Sequence, residues 1–479
     1  MAAGSTRNLA RRSFLALSGL GGTALLGGHA GLGGLSAQGA VDPWQTAADI
    51  VARIRRPSFP PNSDFPITAY GAVGNGTTDC TGAIKRAVTA CNQAGGGRVV
   101  VPAGRFLTGA ILLRRNVNLN LAAGATLLFS TNTSKYPLVR TRFEGNDCYN
   151  FSPLIYAYNT GNIAITGSGT LDGQASNQAW WPWRGDPAFG WQPGQPTQFP
   201  DSNALRKQGE DRVPVANRVY GAGHYLRPPF IQFHSCTRAM IEGVTIRNSP
   251  SWVIHPVLCT SLTIRNVTVA SLGPNNDGCN PECCGDVLIE SCTFDTGDDC
   301  IAIKSGRGQD GFVPGIASRF IVIRNCEMRR GVGGIAIGSE MSGGVNNVFA
   351  ENIRMTDGRL ARGLFIKSNT FRGGTAEHVH LRSVAIAGVQ DNPIRLTYYY
   401  LNNPLGGPYQ PFFRDINVSN LTCSRSGSHA IQIRGYPANK LGPVRLTDCT
   451  FTNAAQANPL LENVQGLTLT RVSINGRPI

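Results

Sequence analysis

Charged side chains and helical periodicity are both scarce in this sequence. Asp, Glu, Lys and Arg make up only 15% of its 479 residues, and after one amphipathic stretch near residue 81 no further long helical period occurs. Glycine is abundant, with 58 residues, and short runs of Val, Ile and Leu recur along the chain. Short apolar runs separated by turn residues indicate β-strands joined by tight turns. The apolar content of 41% is ample for a core.

Several common functional motifs are also missing. The formal net charge is +15, yet no run of Lys and Arg with interleaved aromatic residues appears. Such a run would indicate nucleic-acid binding, whereas arginines spread along the whole chain fit an acidic polysaccharide. We find no nucleotide-binding loop, no Ser-His-Asp set and no metal-ligand cluster. We therefore expect no cofactor, no metal and no nucleic-acid partner, and a monomer that acts on an acidic polysaccharide.

The N-terminus has the pattern of an export signal. Arg11 and Arg12, followed by Ser13-Phe14-Leu15, form a twin-arginine motif before an apolar run rich in Gly, Ala and Leu. Glycine dilutes this run and no second hydrophobic span follows, so a transmembrane anchor fits less well. We expect a twin-arginine signal peptide over residues 1–40, export to the periplasm or beyond, and no membrane anchor after cleavage. Residues 41–62 then read as a linker with a short helical piece.

A six-residue phrase recurs from Ile241-Glu-Gly-Val-Thr-Ile to Leu469-Thr-Arg-Val-Ser-Ile, with apolar residues at its first, fourth and sixth positions. Spacings of roughly 23 to 37 residues between copies are typical of a solenoid. Strands this short, without helices between them, stack as a parallel β-helix whose insertions loop out. We expect this all-β fold over residues 63–479. The amphipathic helix that begins at Thr81 should cover the open end of the stacked strands.

The repeat also accounts for several of the thirteen cysteines. Cys292, Cys326 and Cys449 occupy the fourth position of the phrase, where other coils carry Val, Ile or Leu. Cysteine can replace a buried apolar residue there, so we expect these thiols to be free and buried. Three further cysteines fall in a loop and are the better candidates for a disulfide: Cys279, Cys283 and Cys284.

Three acids lie beside glycines in the middle of the repeat: Asp277, before Gly278, and the pair Asp298-Asp299, after Gly297. Asp277 precedes Asp298 by about one turn of the repeat, so coils stacked directly on one another would place the carboxylates side by side. Glycoside hydrolysis needs a carboxylic acid to protonate the leaving oxygen and a carboxylate to activate water. These residues are also common in exposed turns, so the interpretation depends on the register of the coils.

In these stretches the chain resembles glycoside hydrolase family 28, the polygalacturonases. The family's Asn-Thr-Asp motif reads Asn275-Asn276-Asp277 here, and its Gly-Asp-Asp motif reads Gly297-Asp298-Asp299. The resemblance implies a right-handed parallel β-helix that hydrolyses an α-linked, galacturonic-acid-containing pectic polysaccharide with inversion. It also implies that Asp298 is the general acid and that Asp277 and Asp299 hold and activate water. Inverting enzymes place the two carboxyl groups about 6.5–9.5 Å apart.

Two positions depart from the family's motifs. Its Gly-His-Gly reads Gly331-Val332-Gly333, and its Arg-Ile-Lys reads Phe365-Ile366-Lys367, so the usual histidine and arginine are absent. A carboxylate clamp reduced to one lysine should hold a galacturonate less well, whereas an aromatic ring suits a less polar sugar such as rhamnose. The substrate-binding residues that we expect are Asn275, Lys304, Lys367 and Phe365.

Three alternatives stay open at this point. The departures favour a rhamnogalacturonan hydrolase type of specificity as one of them. A pectin or pectate lyase on the same fold is the second, since such enzymes commonly use calcium held by clustered acids. The third is a non-catalytic pectin-binding protein, although a binding protein has no need of all three acids.

Overall fold

Most strands of this protein are short and parallel, and they pair with the strands one coil before and one coil after them. A computed structural model describes residues 42–402 and 406–479; the expected signal peptide lies outside these residues. The described chain forms a parallel β-helix, so the fold expected from the repeat is confirmed.

The described residues include four α-helices, of which the longest has 13 residues. They are α1 (Pro43–Arg53), α2 (Thr81–Gln93), α3 (Phe199–Glu210) and α4 (Gln309–Phe312). Within the described part of the chain, the helices are too short and too polar for any of them to cross a membrane.

The strands fall into two sets, before and after the insertion that carries α3. The first set is β1 (Asp64–Pro66), β2 (Asn75–Asp79), β3 (Gly97–Val101), β4 (Gly104–Thr108), β5 (Ile111–Leu112), β6 (Val117–Leu121), β7 (Ala125–Phe129), β8 (Leu138–Phe143), β9 (Asn146–Phe151), β10 (Ile155–Tyr158), β11 (Gly161–Gly167) and β12 (Thr170–Asp172). The second set is β13 (Ile231–His234), β14 (Thr237–Glu242), β15 (Thr245–Arg247), β16 (Thr260–Arg265), β17 (Thr268–Ser271), β18 (Gly285–Glu290), β19 (Thr293–Thr296), β20 (Ile301–Ile303), β21 (Ser318–Arg324), β22 (Glu327–Gly338), β23 (Val345–Lys367), β24 (Gly374–Ile386), β25 (Val389–Thr397), β26 (Pro411–Cys423), β27 (Ser426–His429), β28 (Ile431–Arg434), β29 (Val444–Phe451), β30 (Ala454–Gln456), β31 (Leu460–Glu462), β32 (Leu467–Ile474) and β33 (Arg477–Pro478).

The recurring phrase forms one continuous ladder. Its first residues pair in register from coil to coil, and they are Ile241, Ile264, Ile289, Ile323, Ala350, Leu381, Val418, Leu446 and Leu469. All of them except Leu469 are buried. Burial of these stacked apolar side chains supplies the main driving force for the solenoid core.

The third position of the phrase is a corner between two strands. In all nine copies its residue has a left-handed backbone, with φ of +53° at Asn266, +55° at Asn325 and +80° at Gly243, for example. Only Gly, Asn and a few other residues adopt this conformation at low cost. This requirement explains why glycine or a small polar residue separates the apolar positions in every copy except the last, which has Arg471.

Two helices cover apolar surface of the solenoid. One face of α2 is buried against the first strands, as expected for a capping helix. α1 lies in the segment that the sequence indicated as a linker with a short helical piece. Its buried side chains pack on outward-facing residues of three neighbouring coils, and the cluster is Ala47, Ile50, Leu288, Val322 and Phe349. This segment is therefore fixed to the side of the solenoid.

All thirteen cysteines are unpaired and buried. The three at the fourth position of the phrase lie in the core, as predicted. The expected disulfide among Cys279, Cys283 and Cys284 is wrong. The Cys284 thiol donates to the carbonyl of Glu282 at 3.3 Å, whereas the Cys283 sulfur accepts from the Arg142 guanidinium at 3.4 Å. These thiols have different neighbours because the chain bends at Cys283, whose backbone is left-handed with φ of +53°.

We expect all thirteen thiols to react with a chromogenic thiol reagent in denaturant without reductant. Close to none should react in the native protein, because every sulfur is buried and reagents attack exposed thiolates. Counting reacted thiols by absorbance in both states checks this. Two fewer thiols in denaturant would mean that a disulfide has formed.

Candidate active site

Asp277 and the pair Asp298-Asp299 lie on consecutive coils of the solenoid. The N–H of Gly278 donates to the carbonyl of Asp299 at 2.9 Å, which fixes the two turns next to each other. As a result, one carboxylate oxygen of each of the three aspartates lies within 4.8 Å of the other two. The structure thus brings together the three acids that the sequence singled out.

Asp277 is buried and has a polar neighbour on each side. Its Oδ2 accepts a hydrogen bond from Asn280 Nδ2 at 2.7 Å and lies 3.7 Å from Lys304 Nζ. Burial raises the pKa of Asp277 well above its ordinary range, and the charge of Asp298 raises it further, against the opposing effect of Lys304. A carboxylate without this lysine would be far costlier to bury.

Asp298 and Asp299 are neighbours with different surroundings. Asp298 is half-buried, and burial together with the charge of Asp299 raises the pKa of Asp298 to about 6. Asp299 is 1% exposed, and its Oδ2 forms an ion pair with Lys367 Nζ at 2.7 Å. Its Oδ1 is buried and has no hydrogen-bond partner among the described residues. Asp298 can therefore hold a proton in mildly acidic solution, while Asp299 presents a free acceptor oxygen.

The two predicted lysines contact the protein's own carboxylates. Lys304 donates to the carbonyl of Gly338 at 2.8 Å and to Glu340 Oε2 at 3.0 Å, and Lys367 binds Asp299. Both are 3% exposed. The ammonium groups therefore lie in the cleft, but their closest partners are the acids of the site.

Phe365 and Asn275 have surroundings that the sequence did not indicate. The Phe365 ring is only 3% exposed, because the guanidinium groups of Arg362 and Arg395 lie 4.7 and 5.7 Å from its centre. It is not the open apolar platform that we expected. Asn275 is half-buried, and its Oδ1 accepts from Arg227 Nη2 at 2.7 Å. Asn275 is thus tied to the protein at the edge of the site.

Sequence reasoning missed several residues that contact the site, namely Asn280, Arg227, Glu340, Arg362 and Arg395. Asn280 and Arg395 occupy one outward-facing position on different coils, which runs in register through Ala302, Ala336 and Phe365. The segments that form this ladder do not carry the recurring phrase. The register that would have identified these residues was therefore invisible in the sequence.

Two glycines border the acid pair. A Cβ on Gly333 would lie 2.7 Å from Asp299 Oδ1, and a Cβ on Gly331 would lie 2.5 Å from the backbone oxygen of Asp298. Between them lies Val332, whose N–H donates to the carbonyl of Asp298 at 3.1 Å. The turn thus contacts the acids through its backbone, with no room for side chains at either glycine.

The spacing of the three carboxylates would also suit a cation. However, Lys367 already binds one oxygen of Asp299, and Lys304 lies 3.7 Å from Asp277. Two ammonium groups in contact with the same carboxylates would repel a divalent cation and offset the charge that it needs. We therefore assign no metal to this cluster.

The hairpin of β8 and β9 covers the sheet on the N-terminal side of the acids. Thr141 Oγ1 donates to Gln232 Oε1 at 2.7 Å, and Arg142 Nη1 donates to Glu282 Oε1 at 3.3 Å. Glu282 Oε2 also lies 2.8 Å from His255 Nε2. Gln232, His255 and Glu282 stand on three successive coils and face away from the core, yet none is more than 1% exposed. The hairpin therefore closes the groove on this side.

On the other side of Asp298 the groove opens into a cleft of about 320 Å³. Its walls combine apolar and cationic side chains, including Val332, Phe365, Arg362, Lys367 and Arg395. A cleft of this size, with a few convergent polar groups, is typical of a small-ligand site. The acids thus stand at the boundary between a closed and an open part of the groove.

A parallel β-helix with clustered, unequal carboxylates beside an open cleft defines a carbohydrate-active enzyme. The family model described as glycosyl hydrolases family 28 matches residues 219–470, which is more than half of the chain. The chain belongs to this family. The resemblance seen in the motifs around the three acids is therefore confirmed.

Individual relatives agree with this assignment. The chain is 29% identical over 403 residues to a probable polygalacturonase of Vitis vinifera, covering 81% of this chain and 74% of the relative. It is 30% identical over 395 residues to an exo-poly-alpha-D-galacturonosidase of Dickeya chrysanthemi, covering 77% and 64%. The crystal structure of a hyperthermoactive exopolygalacturonase from Thermotoga maritima matches with a TM-score of 0.88 at 41% identity, over 91% of this chain and 97% of that one. The prediction of a polygalacturonase-like glycoside hydrolase is confirmed.

Gly333→Ala should lower kcat/KM by about tenfold to hundredfold, because a shift of about 1 Å at a catalytic group can cost that much. The added Cβ would lie 2.7 Å from Asp299 Oδ1 and displace it. Gly285→Ala is the matched control, since its Cβ meets no atom closer than 4.0 Å. Reducing-end release and melting temperatures of both variants check this. Wild-type activity of Gly333→Ala would show that Asp299 tolerates displacement.

Proposed function

We propose that this enzyme hydrolyses α-linked galacturonan from chain ends with inversion at the anomeric carbon. The observation that carries the proposal is the cluster of three carboxylates within 4.8 Å, in unlike surroundings. Asp298, whose pKa is raised to about 6, would donate its proton to the glycosidic oxygen. Asp277 and Asp299 would hold the water that attacks the anomeric carbon.

The position of the water follows from the distances. Two oxygens that lie within 4.8 Å can both accept hydrogen bonds of about 2.8 Å from one water molecule. Asp299 Oδ1 has no partner among the described residues and suits this role. As the water oxygen bonds to the anomeric carbon, the glycosidic C–O bond breaks and its electron pair goes to the oxygen that Asp298 protonates. The carboxylate of Asp299, which is paired with Lys367, takes the water's proton.

The carboxylates lie closer together than in most inverting enzymes, for which we expected about 6.5–9.5 Å. The two ammonium groups explain this, because each offsets repulsion between the acids: Lys367 lies 2.7 Å from Asp299 and Lys304 lies 3.7 Å from Asp277. The same contacts draw charge from these carboxylates and make them poorer nucleophiles. We therefore favour water, and hence inversion, over a covalent intermediate.

Action at chain ends is supported by the closed groove. A polysaccharide cannot pass the hairpin of β8 and β9, which buries the outward side chains His255 and Glu282 on the coils beside the acids. We infer that the hairpin leaves room for only a short stretch of sugar on this side, whereas the polymer can extend through the open cleft. The relatives from Dickeya chrysanthemi and Thermotoga maritima are named as enzymes of the exo type, which agrees with this proposal.

An acidic substrate is favoured over a neutral one by the charges of the cleft. Arg362, Arg395 and Lys367 surround the Phe365 ring, so the aromatic face that would suit rhamnose is occupied by cations. The net charge of +15 also attracts a polyanion. We further propose that residues 1–40 direct export of a monomeric enzyme through the twin-arginine route, to the periplasm or beyond.

Asp298→Asn should lower kcat by about 10²–10⁴-fold, the typical contribution of a general acid. In the wild type the acid form of Asp298 is present below its pKa of about 6 and is lost as the pH rises through that value. We therefore expect kcat/KM to fall on the alkaline side of about pH 6, and we expect this fall to be absent from the residual activity of the variant. Reducing-end assays on polygalacturonan over a pH series measure both effects.

The matched control is Asp295→Asn, because Asp295 lies three residues away and pairs with Arg330 at 3.0 Å, outside the cluster. It should keep activity within about threefold of the wild type, because the substitution leaves the three acids and their partners unchanged. Substantial hydrolysis by Asp298→Asn would contradict the assigned role. So would a pH profile of the variant in which kcat/KM still falls above about pH 6.

Products formed in the first minutes should be short and should carry the β anomer, since inversion of an α linkage gives β. Proton NMR of fresh digests identifies the anomer before mutarotation, and chromatography of the same samples gives the product size. An early ladder of intermediate oligomers would contradict action at chain ends. An initial α anomer would instead support a covalent intermediate on a carboxylate.

A further inference from the structure

Phe365 lines the open cleft, and two arginines bracket it. Arg362 lies three residues earlier on β23, and Arg395 stands directly beside Phe365 on the next coil, in β25. Their guanidinium carbons lie 4.7 and 5.7 Å from the centre of the Phe365 ring. Lys367 Nζ lies 4.4 Å from the same ring. Three cations therefore converge on one aromatic ring in the open cleft.

In the chain that the structure describes, the two arginines have only one carboxylate oxygen between them as an ion-pair partner. Arg362 Nη2 and Arg395 Nη1 share the single carboxylate oxygen Asp391 Oδ2, at 2.7 and 2.8 Å. The Nε groups of both arginines are buried and have no hydrogen-bond partner among the described residues. Burial lowers the pKa of Arg395, and the charge of Arg362 lowers it further. Such a pair is stabilised by any additional anion that reaches it.

The cleft provides room for that anion. Both arginines line the same cavity of about 320 Å³ as Asp298. Successive coils are about 4.8 Å apart. Gly333 belongs to the turn that contacts the acids, and Arg362 pairs with Gly333 from the next coil. A sugar ring bound beside Asp298 on the open side would therefore place its substituents near these two guanidinium groups.

We propose that Arg362 and Arg395 together bind the carboxylate of the galacturonate ring on the open side of the scissile bond. This inference rests on the proposed function and names the residues that select its acidic substrate. Planar guanidinium groups match a carboxylate bidentately, which a single lysine cannot do. The arginine absent at position 365 is replaced by arginines from the same strand and from the next coil.

An aromatic residue at position 365 is consistent with this arrangement. An arginine there would add another guanidinium group between Arg362 and Arg395, with only Asp391 to offset their charge. The Phe365 ring instead adds no charge, and its π face attracts both cations, whose guanidinium carbons lie 4.7 and 5.7 Å from its centre. Phe365 is thus a positioning residue for the pair.

The test compares an acidic ligand with its neutral ester. Trigalacturonate and its methyl ester are titrated calorimetrically into full-length protein carrying Asp298→Asn, which prevents turnover, with and without Arg395→Gln or Arg362→Gln. Each arginine variant should bind trigalacturonate about tenfold to hundredfold more weakly, as expected for loss of a charge-assisted hydrogen bond. Affinity for the ester should change by less than about threefold. Arg395→Lys keeps the positive charge but loses the planar guanidinium group that can bind a carboxylate through two hydrogen bonds. Its affinity for trigalacturonate should lie between those of the protein with Arg395 and of Arg395→Gln.

Arg359→Gln is the matched control, because Arg359 lies on the same strand and pairs with an aspartate, Asp357, outside the cleft. It should bind both ligands as the parent does. Equal weakening of acid and ester in the arginine variants would mean a merely structural role and would overturn the inference, as would unchanged affinity for the acid. Failure of the wild type to hydrolyse polygalacturonan would instead refute the proposed function, and the binding comparison would still be decisive for the arginines.

Discussion

Hydrogen bonds between successive coils hold this protein in register, and the site depends on that register. Coils about 4.8 Å apart bring residues together when they share a position on neighbouring turns. The bond from the Gly278 N–H to the Asp299 carbonyl joins two coils at the acids. A slip of one residue would turn an acid towards the core and a core residue towards the cleft. The regular backbone is therefore a requirement of the chemistry as well as of stability.

Burying three carboxylates together is costly, and the protein offsets that cost unevenly. Asn280 and Lys304 contact Asp277, Lys367 contacts Asp299, and Asp298 receives no ammonium at hydrogen-bonding distance. Unequal partners of this kind separate the proton affinities of neighbouring acids, which allows one to donate a proton while others accept one. The ion pair with Lys367 thus distinguishes Asp299 from its neighbour Asp298, which is the candidate proton donor.

Insertions decide what the solenoid can bind. The groove would run along every coil of the sheet, but the hairpin of β8 and β9 covers it on one side of the acids, through contacts such as Arg142 to Glu282. On the other side, Arg362 and Arg395 add cations around Phe365. The coils supply the acids, while an inserted hairpin and substitutions on later coils set the shape and charge of the cleft.

The prediction of the fold succeeded where the sequence repeats, because one phrase specified strand, corner and core position in every coil. It failed where residues lack a local pattern. The disulfide expected in the loop after Cys279 is absent because those thiols have different neighbours. Arg395 and Asn280 were not predicted, because the segments in which they lie have no recurring phrase that would reveal their register.

By itself, the sequence determined the solenoid, its buried ladder and the three acids with their flanking glycines, since these follow from patterns within a coil or between adjacent coils. Only the tertiary structure decided which cation meets which acid and where the groove closes. Lys367 and Asp299 are 68 residues apart, and Arg142 and Glu282 are 140 residues apart. The first contact joins residues of different coils, and the second depends on an inserted hairpin that folds back on the solenoid; no local pattern encodes either of them.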